Sequence, residues 1–350
     1  SWRVHLPPWS WADFGARAAA FREAWRNMPA ERAAQRKLAA AAVAQASEAP
    51  RTIVLVVGES LASANMGLYG YARDTTPRLS ALARSEDGLR VLRDAWSLDA
   101  STVPSFARML TVSSGGARLG VLPIFKAAGW RVAWISNQDD IAIKARYAGH
   151  ADSARMLNRQ GGRSSASMDE RLLPELEREL AAPAARKLGG VHMIGLHPHF
   201  YMRSPAGLAP RWRDDDAVGR RLEALGRNAV VRASRAQYDL GVLYQDGVIA
   251  GTLERARRLA AGRPCAWVYL SDHGMETGEG ADRAGHSPAT RDGYAIPFLV
   301  WADEAGRRSW PARETLEART FRTDLLGWTL LDMAGIRLRD HAPGMSLFAA

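Results

Sequence analysis

Two stretches of the chain are apolar at nearly every position, and both stop abruptly at an acid. Thr52-Ile53-Val54-Leu55-Val56-Val57 ends at Gly58, Glu59 and Ser60, and Trp267-Val268-Tyr269-Leu270 ends at Ser271, Asp272, His273 and Gly274. Short apolar runs rich in β-branched and aromatic residues predict buried strands. Gly190-Val191-His192-Met193-Ile194-Gly195 reads as another strand, and Ala95-Trp96-Ser97-Leu98 as a further one. Helical periodicity shows at Phe106, Met109 and Leu110, with Pro104 suited to a first turn, and again over Thr323–Leu331, which is expected to pack against the sheet. Residues 11–47 are rich in Ala, Arg and Glu with few breakers, as in a helical connector. Residues 150–185 are polar and read as an exposed loop, Arg-Gln-Gly-Gly-Arg-Ser-Ser, followed by a helix ending near Pro183. The pattern predicts an α/β fold.

In an open parallel sheet, ligands bind in the crevice beyond the carboxyl ends of the strands. Glu59 and the pair Asp272-His273 can therefore meet despite their separation in sequence. Two carboxylates and an imidazole suit zinc and leave a fourth position open. A hydroxyl at a helix start would complete the set, and Ala100-Ser101-Thr102-Val103-Pro104 offers one in Thr102, the candidate nucleophile. Read alone, Ser101 or Thr102 also suits a helix cap, and Asp272 a polar loop.

Together these segments resemble the alkaline phosphatase and sulfatase superfamily, and within it the phosphoethanolamine transferases of bacterial envelopes. The resemblance runs through VLVVGES at 54–60, LYGYARDTTPRLS at 68–80, STVPS at 101–105, HMIGLHPHFYMRSP at 192–205, YDLGVLYQDGVI at 238–249, YLSDHGMETGE at 269–279, His286 and IPFLVW at 296–301. It implies an alkaline-phosphatase-like α/β/α sandwich with a mainly parallel central sheet, occupying residues 51–350 after a membrane-proximal segment over residues 1–50. It implies zinc held by Glu59, Asp272, His273 and Thr102, with a phospho-threonine intermediate. His192 and His197, at the family's HxxGxH spacing, and His286 would bind the phosphoryl group, protonate the leaving oxygen or hold a second metal; Asn137 matches a polar residue beside the substrate phosphate. The donor would be phosphatidylethanolamine and the acceptor an envelope glycan, a lipopolysaccharide core sugar or another. The resemblance places such a domain on the periplasmic face of the bacterial inner membrane, joined to transmembrane helices absent from a chain that opens at Ser1. A phosphoglycerol transferase, a phosphodiesterase, and a catalytically inactive lipid- or glycan-binding domain are the alternatives.

Two departures from the pattern stand out. Lipid A-modifying members carry their threonine five positions before a proline, where this chain has Asp99; other branches place the nucleophile two positions before it, as Thr102 precedes Pro104. Cys265 is the only cysteine, so no intrachain disulfide forms, whereas the lipid A-modifying branch is stapled by several; the resemblance therefore points towards a core-sugar or other glycan-modifying branch. The 350 residues, 47% hydrophobic and 24% charged, can bury one large core. The formal net charge of +10 favours an anionic membrane surface or phosphorylated glycans, and no motif supports nucleic acid. No run of about 18 apolar residues is present. Trp2, Trp9 and Trp11, spaced by Pro7 and Pro8, suit an interfacial segment, and the Arg- and Asp-dense stretch 203–235 suits a solvated helix or the acceptor's entrance.

Overall fold

The computed structural model describes residues 27–138, 147–158, 165–208, 211–259, 263–342 and 344–349. The tryptophans of the first eleven residues and most of the Arg-Gln-Gly-Gly-Arg-Ser-Ser stretch lie outside these.

Seven strands form the central sheet: β1 (Arg51–Gly58), β2 (Leu89–Leu92), β3 (Arg131–Ser136), β4 (Ser153–Met156), β5 (Arg186–His192), β6 (Cys265–Ser271) and β7 (Phe298–Ala302). Their order across the sheet is β2-β7-β6-β1-β5-β3-β4. Pairings from β6 through β1, β5 and β3 to β4 are parallel, and β7 alone runs the other way. Such a sheet needs cover on both faces, because parallel crossovers place helices there. The continuous apolar runs divide accordingly. Ile53, Leu55 and Val57 of β1 join one core with Ala266, Val268 and Leu270 of β6, while Val54, Val56, Trp267 and Tyr269 join the other.

The first core packs against helices α2 (Thr102–Met109) and α5 (Leu326–Ala334) through Phe106, Met109, Leu330 and Leu331. The second packs against α3 (Leu172–Ala181) and α4 (Ala229–Leu259) through Leu176, Tyr238, Val242 and Ile249. Helix α1 (Pro77–Ser85) lies on the same side, with Leu79 fully buried. The layers are therefore helix, sheet, helix, as the resemblance implies.

The connector is more closely joined to this body than a helix alone would be. Residues 27–42 are helical, but Val43–Ala46 then forms a strand antiparallel to Ile336–Leu338, and Ala39 is completely buried. The segment Asp94–Trp96 is likewise a short strand, paired in parallel with Thr320–Arg322 outside the central sheet.

Helix α1 shows how distant sequence completes local structure. Its cap residue Thr76 makes no side-chain capping bond. The orphan N–H groups of Arg78 and Leu79 are instead accepted, each at 2.8 Å, by the two carboxylate oxygens of Asp246 on α4. Burial pushes the Asp246 carboxyl up to about 6 even though both N–H groups favour its ionised form. A folded-state value above the unfolded one means that stability from this group is present in full below about pH 4 and is lost as pH rises through about 6. Replacing Asp246→Ala should cost about 1–2 kcal/mol in urea denaturation, the range for a lost cap. The stability advantage of the native chain over Asp246→Asn should shrink between pH 4 and pH 6.5; an advantage that grows over that interval would contradict this account.

Candidate active site and metal centre

The register of β1 and β6 pairs Ser271 with Gly58, so both strands end at the same level. The next residue on each is an acid, and Glu59 and Asp272 emerge side by side, 1% and 0% exposed. Beyond β5, which pairs Val57 with His192, the chain turns through Met193-Ile194-Gly195. Gly195 has φ +52°, and a Cβ there would lie 2.6 Å from the Glu59 carbonyl oxygen and 2.7 Å from its nitrogen. The glycine of the HxxGxH spacing thus answers to a close backbone approach at Glu59.

Ser60 is held in the left-handed region at φ +60°, uncommon for a residue with a Cβ. Three bonds fix it there. Its N–H donates to Asp272 Oδ1 at 3.1 Å, its hydroxyl donates to Glu59 Oε1 at 2.6 Å, and its carbonyl accepts from the Tyr238 hydroxyl at 2.7 Å. Strain in the backbone is offset by bonds that also orient both carboxylates.

Around this pair the remaining groups close in. Thr102, the first residue of α2, donates its hydroxyl to Glu59 Oε2 at 2.9 Å and lies 3.5 Å from His273 Nε2. His273 Nε2 is 3.2 Å from Glu59 Oε1 and 3.6 Å from Asp272 Oδ2, while its Nδ1 is 2.7 Å from the Gly274 carbonyl, which fixes the ring. Ligand atoms of Glu59, His273 and His286 lie within 4.8 Å of one another. The rings of His273 and His286 have centroids 4.8 Å apart, and His197 stands 6.5 Å beyond His286. Asp99, by contrast, turns away: its Oδ2 accepts from Arg108 Nε at 2.6 Å.

Two predicted residues serve the walls. His192 is fully buried, with its ring centroid 4.5 Å from Phe106 and 6.0 Å from Trp134. Burial lowers it to about 4, which keeps it neutral at physiological pH. Asn137 donates to Asp169 Oδ1 at 2.9 Å and accepts from the Ser167 hydroxyl at 2.6 Å, so its amide faces the protein on both ends. Its neighbour Gln138 reaches the site instead, donating to Glu59 Oε2 at 3.0 Å and to the Met193 carbonyl at 3.1 Å. The match at position 137 therefore falls one residue short of the side chain that touches the centre. A strand exit turns side chains to alternate sides, so neighbouring polar residues there face different surroundings.

Sequence reading also missed Asp169. Its carboxylate accepts from the backbone N–H groups of Ile194 and Gly195 and from Gln245, each at 2.9 Å, pinning the turn that carries His197. Nothing near it in sequence signals this, because these partners come from the turn after β5 and from α4.

Electrostatics identify what the site lacks in charge. Burial and the Glu59 charge push Asp272 up to about 8, and its Oδ2 has no hydrogen-bond partner. Burial alone would depress His273, but Asp272 and Glu59 outweigh it and raise the imidazole to about 9. Burial would also raise Glu59, yet the bond and charge of His273 hold its carboxyl well below the usual range. The cluster thus draws positive charge inward, and oxygen, oxygen, imidazole and hydroxyl donors around an orphaned carboxylate oxygen fit a divalent cation.

The model of the family described as Sulfatase matches residues 51–336. The chain is 29% identical over 316 residues to the phosphoethanolamine transferase EptC of Escherichia coli K12, covering 85% of this chain and 53% of that protein. It thus spans about half the length of that relative. The crystal structure of the C-terminal periplasmic domain of Escherichia coli EptC in complex with Zn superposes with a TM-score of 0.79 at 28% identity, covering 88% of this chain and 89% of that one. The soluble domain of lipooligosaccharide phosphoethanolamine transferase A from Neisseria meningitidis shares the fold, with a TM-score of 0.69 at 24% identity over 88% of this chain and 95% of that one. With the α/β/α layers, the match over most of the chain and the acid and imidazole centre in agreement, the chain belongs to the sulfatase family, and the relatives it resembles over most of its length are phosphoethanolamine transferases.

Proposed function

We propose that this domain transfers phosphoethanolamine from phosphatidylethanolamine to a hydroxyl of a bacterial envelope glycan, through a phosphoenzyme on Thr102. The observation that carries this reading is the position of the Thr102 hydroxyl, at a helix start and 2.9 Å from a carboxylate oxygen of Glu59. A helix N-terminus favours the negative charge that builds on the oxygen and on an incoming phosphate. Zinc held by Glu59, Asp272, His273 and the Thr102 hydroxyl would supply a Lewis acid that lowers the hydroxyl's pKa and offsets phosphoryl charge.

The protein's own groups divide the remaining work. The Thr102 hydroxyl would release its proton to solvent, and Oγ1 would form the new bond to phosphorus as the bond from phosphorus to the diacylglycerol oxygen breaks. His286 and His197, beside the centre, would protonate that oxygen. The same histidines, once neutral, would take the proton of the acceptor hydroxyl as it displaces phosphoethanolamine from Thr102. Gln138 and Ser60 hold Glu59, so the carboxylate enters the reaction already oriented.

No helix among the described residues is long and apolar enough to cross a membrane. Location at the periplasmic face of the inner membrane, in a longer protein that supplies the anchor, is part of the proposal and is supported by the similarity to a C-terminal periplasmic domain and by relatives of which the chain spans about half. The net charge of +10 suits an anionic lipid surface or a phosphorylated glycan.

The test of the nucleophile is mass spectrometry after incubation with phosphatidylethanolamine. Thr102→Ala should form no phosphoethanolamine adduct and lose at least about a thousandfold in transfer, with stability changed by no more than about 0.5 kcal/mol. Asp99→Ala should keep the adduct. An adduct that survives Thr102→Ala and disappears in Asp99→Ala would shift the nucleophile by three positions. Metal dependence has its own measurement: chelation should abolish adduct formation, and zinc should restore it. Gln138→Ala should weaken zinc binding by about tenfold to a hundredfold in competition with a chromophoric chelator. Unchanged affinity would show that Glu59 is oriented without the amide.

A further inference from the structure

Outside the metal cluster, a cavity of about 650 Å³ opens between the loop after Tyr69 and the segment Thr290–Asp292. Its size is that of a small-molecule site. Its walls include Tyr71, Arg221, Glu279, Thr290, Arg291 and Asp292. Residue Arg221 comes from the Arg- and Asp-dense stretch that no part of the metal centre uses.

The wall is built rather than incidental. Arg235 lies over the Tyr71 ring at 5.0 Å, and its Nε donates to the Tyr71 hydroxyl at 3.0 Å. That hydroxyl donates in turn to Asp239 Oδ2 at 2.6 Å, and Arg73 bridges Asp239 to Asp216 at 2.9 and 2.8 Å. Arg235, 1% exposed, also approaches Glu279 Oε1 at 3.4 Å, and Arg221 approaches Glu279 Oε2 at 3.0 Å. A fixed aromatic ring and oriented polar groups bind with little ordering on contact. Behind this wall, Thr290 Oγ1 and Asp292 Oδ2 are buried without a hydrogen-bond partner.

The charges on the wall select the ligand. Arg221 and Arg291 are balanced by Glu279 and Asp292, so the lining is neutral and offers neither an anion site nor a cation site. Planar carboxylates and guanidinium groups beside tyrosine rings suit a polyhydroxylated ring, which pairs its hydroxyls with the polar groups and its C–H face with the aromatics. One segment of the cavity wall packs against the residue that follows His273. The Asp292 backbone packs on Gly274, where a Cβ would come within 1.9 Å of the Asp292 carbonyl oxygen, and the Gly274 N–H donates to the Gly293 carbonyl at 3.0 Å. The loop that carries His286 thus also forms the cavity wall.

The geometry points to this cavity as the subsite for a neutral sugar residue of the acceptor glycan, next to the hydroxyl that receives phosphoethanolamine. The assignment of the ligand as acceptor rests on the transferase reading above; sugar binding at the cavity does not.

The experiment is saturation-transfer NMR on the zinc-loaded chain, with dephosphorylated oligosaccharide released from lipopolysaccharide as the probe. The native chain should bind it, Arg291→Ala and Asp292→Asn should each weaken binding about tenfold or more, and inorganic phosphate should not compete. Absence of binding, unchanged binding in both variants, or displacement by phosphate would each overturn the assignment. Adduct formation from phosphatidylethanolamine, followed by mass spectrometry, separates the two readings. Both variants should form the adduct at the native rate, and loss of it in both would make the cavity part of the metal centre's support instead. A native chain that binds the oligosaccharide yet forms no adduct would keep the sugar site and remove the transferase reading.

Discussion

Two carboxylates buried side by side are the constraint around which this domain is arranged. Glu59 and Asp272 leave the ends of adjacent parallel strands, and neither reaches solvent. Like charges at such separation in a poorly solvated interior repel strongly unless positive charge or N–H donors face them. The protein answers with His273, with the Ser60 N–H on Asp272, and with the Gln138 amide on Glu59. A cation held among these groups satisfies the same demand, which is why a buried acid pair belongs in a metal-dependent site and would be a liability elsewhere.

Such a pair depends on register. Slipping β6 by one residue against β1 would exchange the faces of Trp267 and Val268 and move Asp272 away from Glu59. The two hydrophobic cores oppose this slip, since each strand contributes alternate side chains to opposite layers. Packing remote from the centre therefore fixes the position of the acids. Helix α2 brings Thr102 to the cluster by the same logic: Phe106 and Met109 anchor one face, and the Ser97 and Ser105 hydroxyls donate to the Asp272 carbonyl, leaving the first turn aimed at the cluster. Rigid elements hold reacting groups more accurately than loops can.

The fold and the outline of the centre were legible in the chain because their signals are local. Continuous apolar runs announce strands covered on both faces, and acids at the ends of such runs announce a crevice. Glu59, Asp272 and His273 lie at such run ends and come together; Thr102, read from a helix start, and His286, implied by the resemblance alone, stand beside them. Gly195 was legible only as a letter in a spacing; its reason is the Glu59 backbone, which no neighbouring residue reveals.

Tertiary structure decided the rest. It turned Asp99 to Arg108 and brought the Thr102 hydroxyl to Glu59. It gave contact with Glu59 to Gln138 and turned Asn137 to Asp169 and Ser167, because adjacent residues at a strand exit face different partners. It also supplied Asp169 and Asp246, whose bonds run to backbone groups more than twenty residues away. Hydrophobic periodicity is written along the chain and can be read there. Pairing between a buried polar group and a distant partner is a property of the folded arrangement, since the sequence records that such a group is present but not which partner comes to meet it.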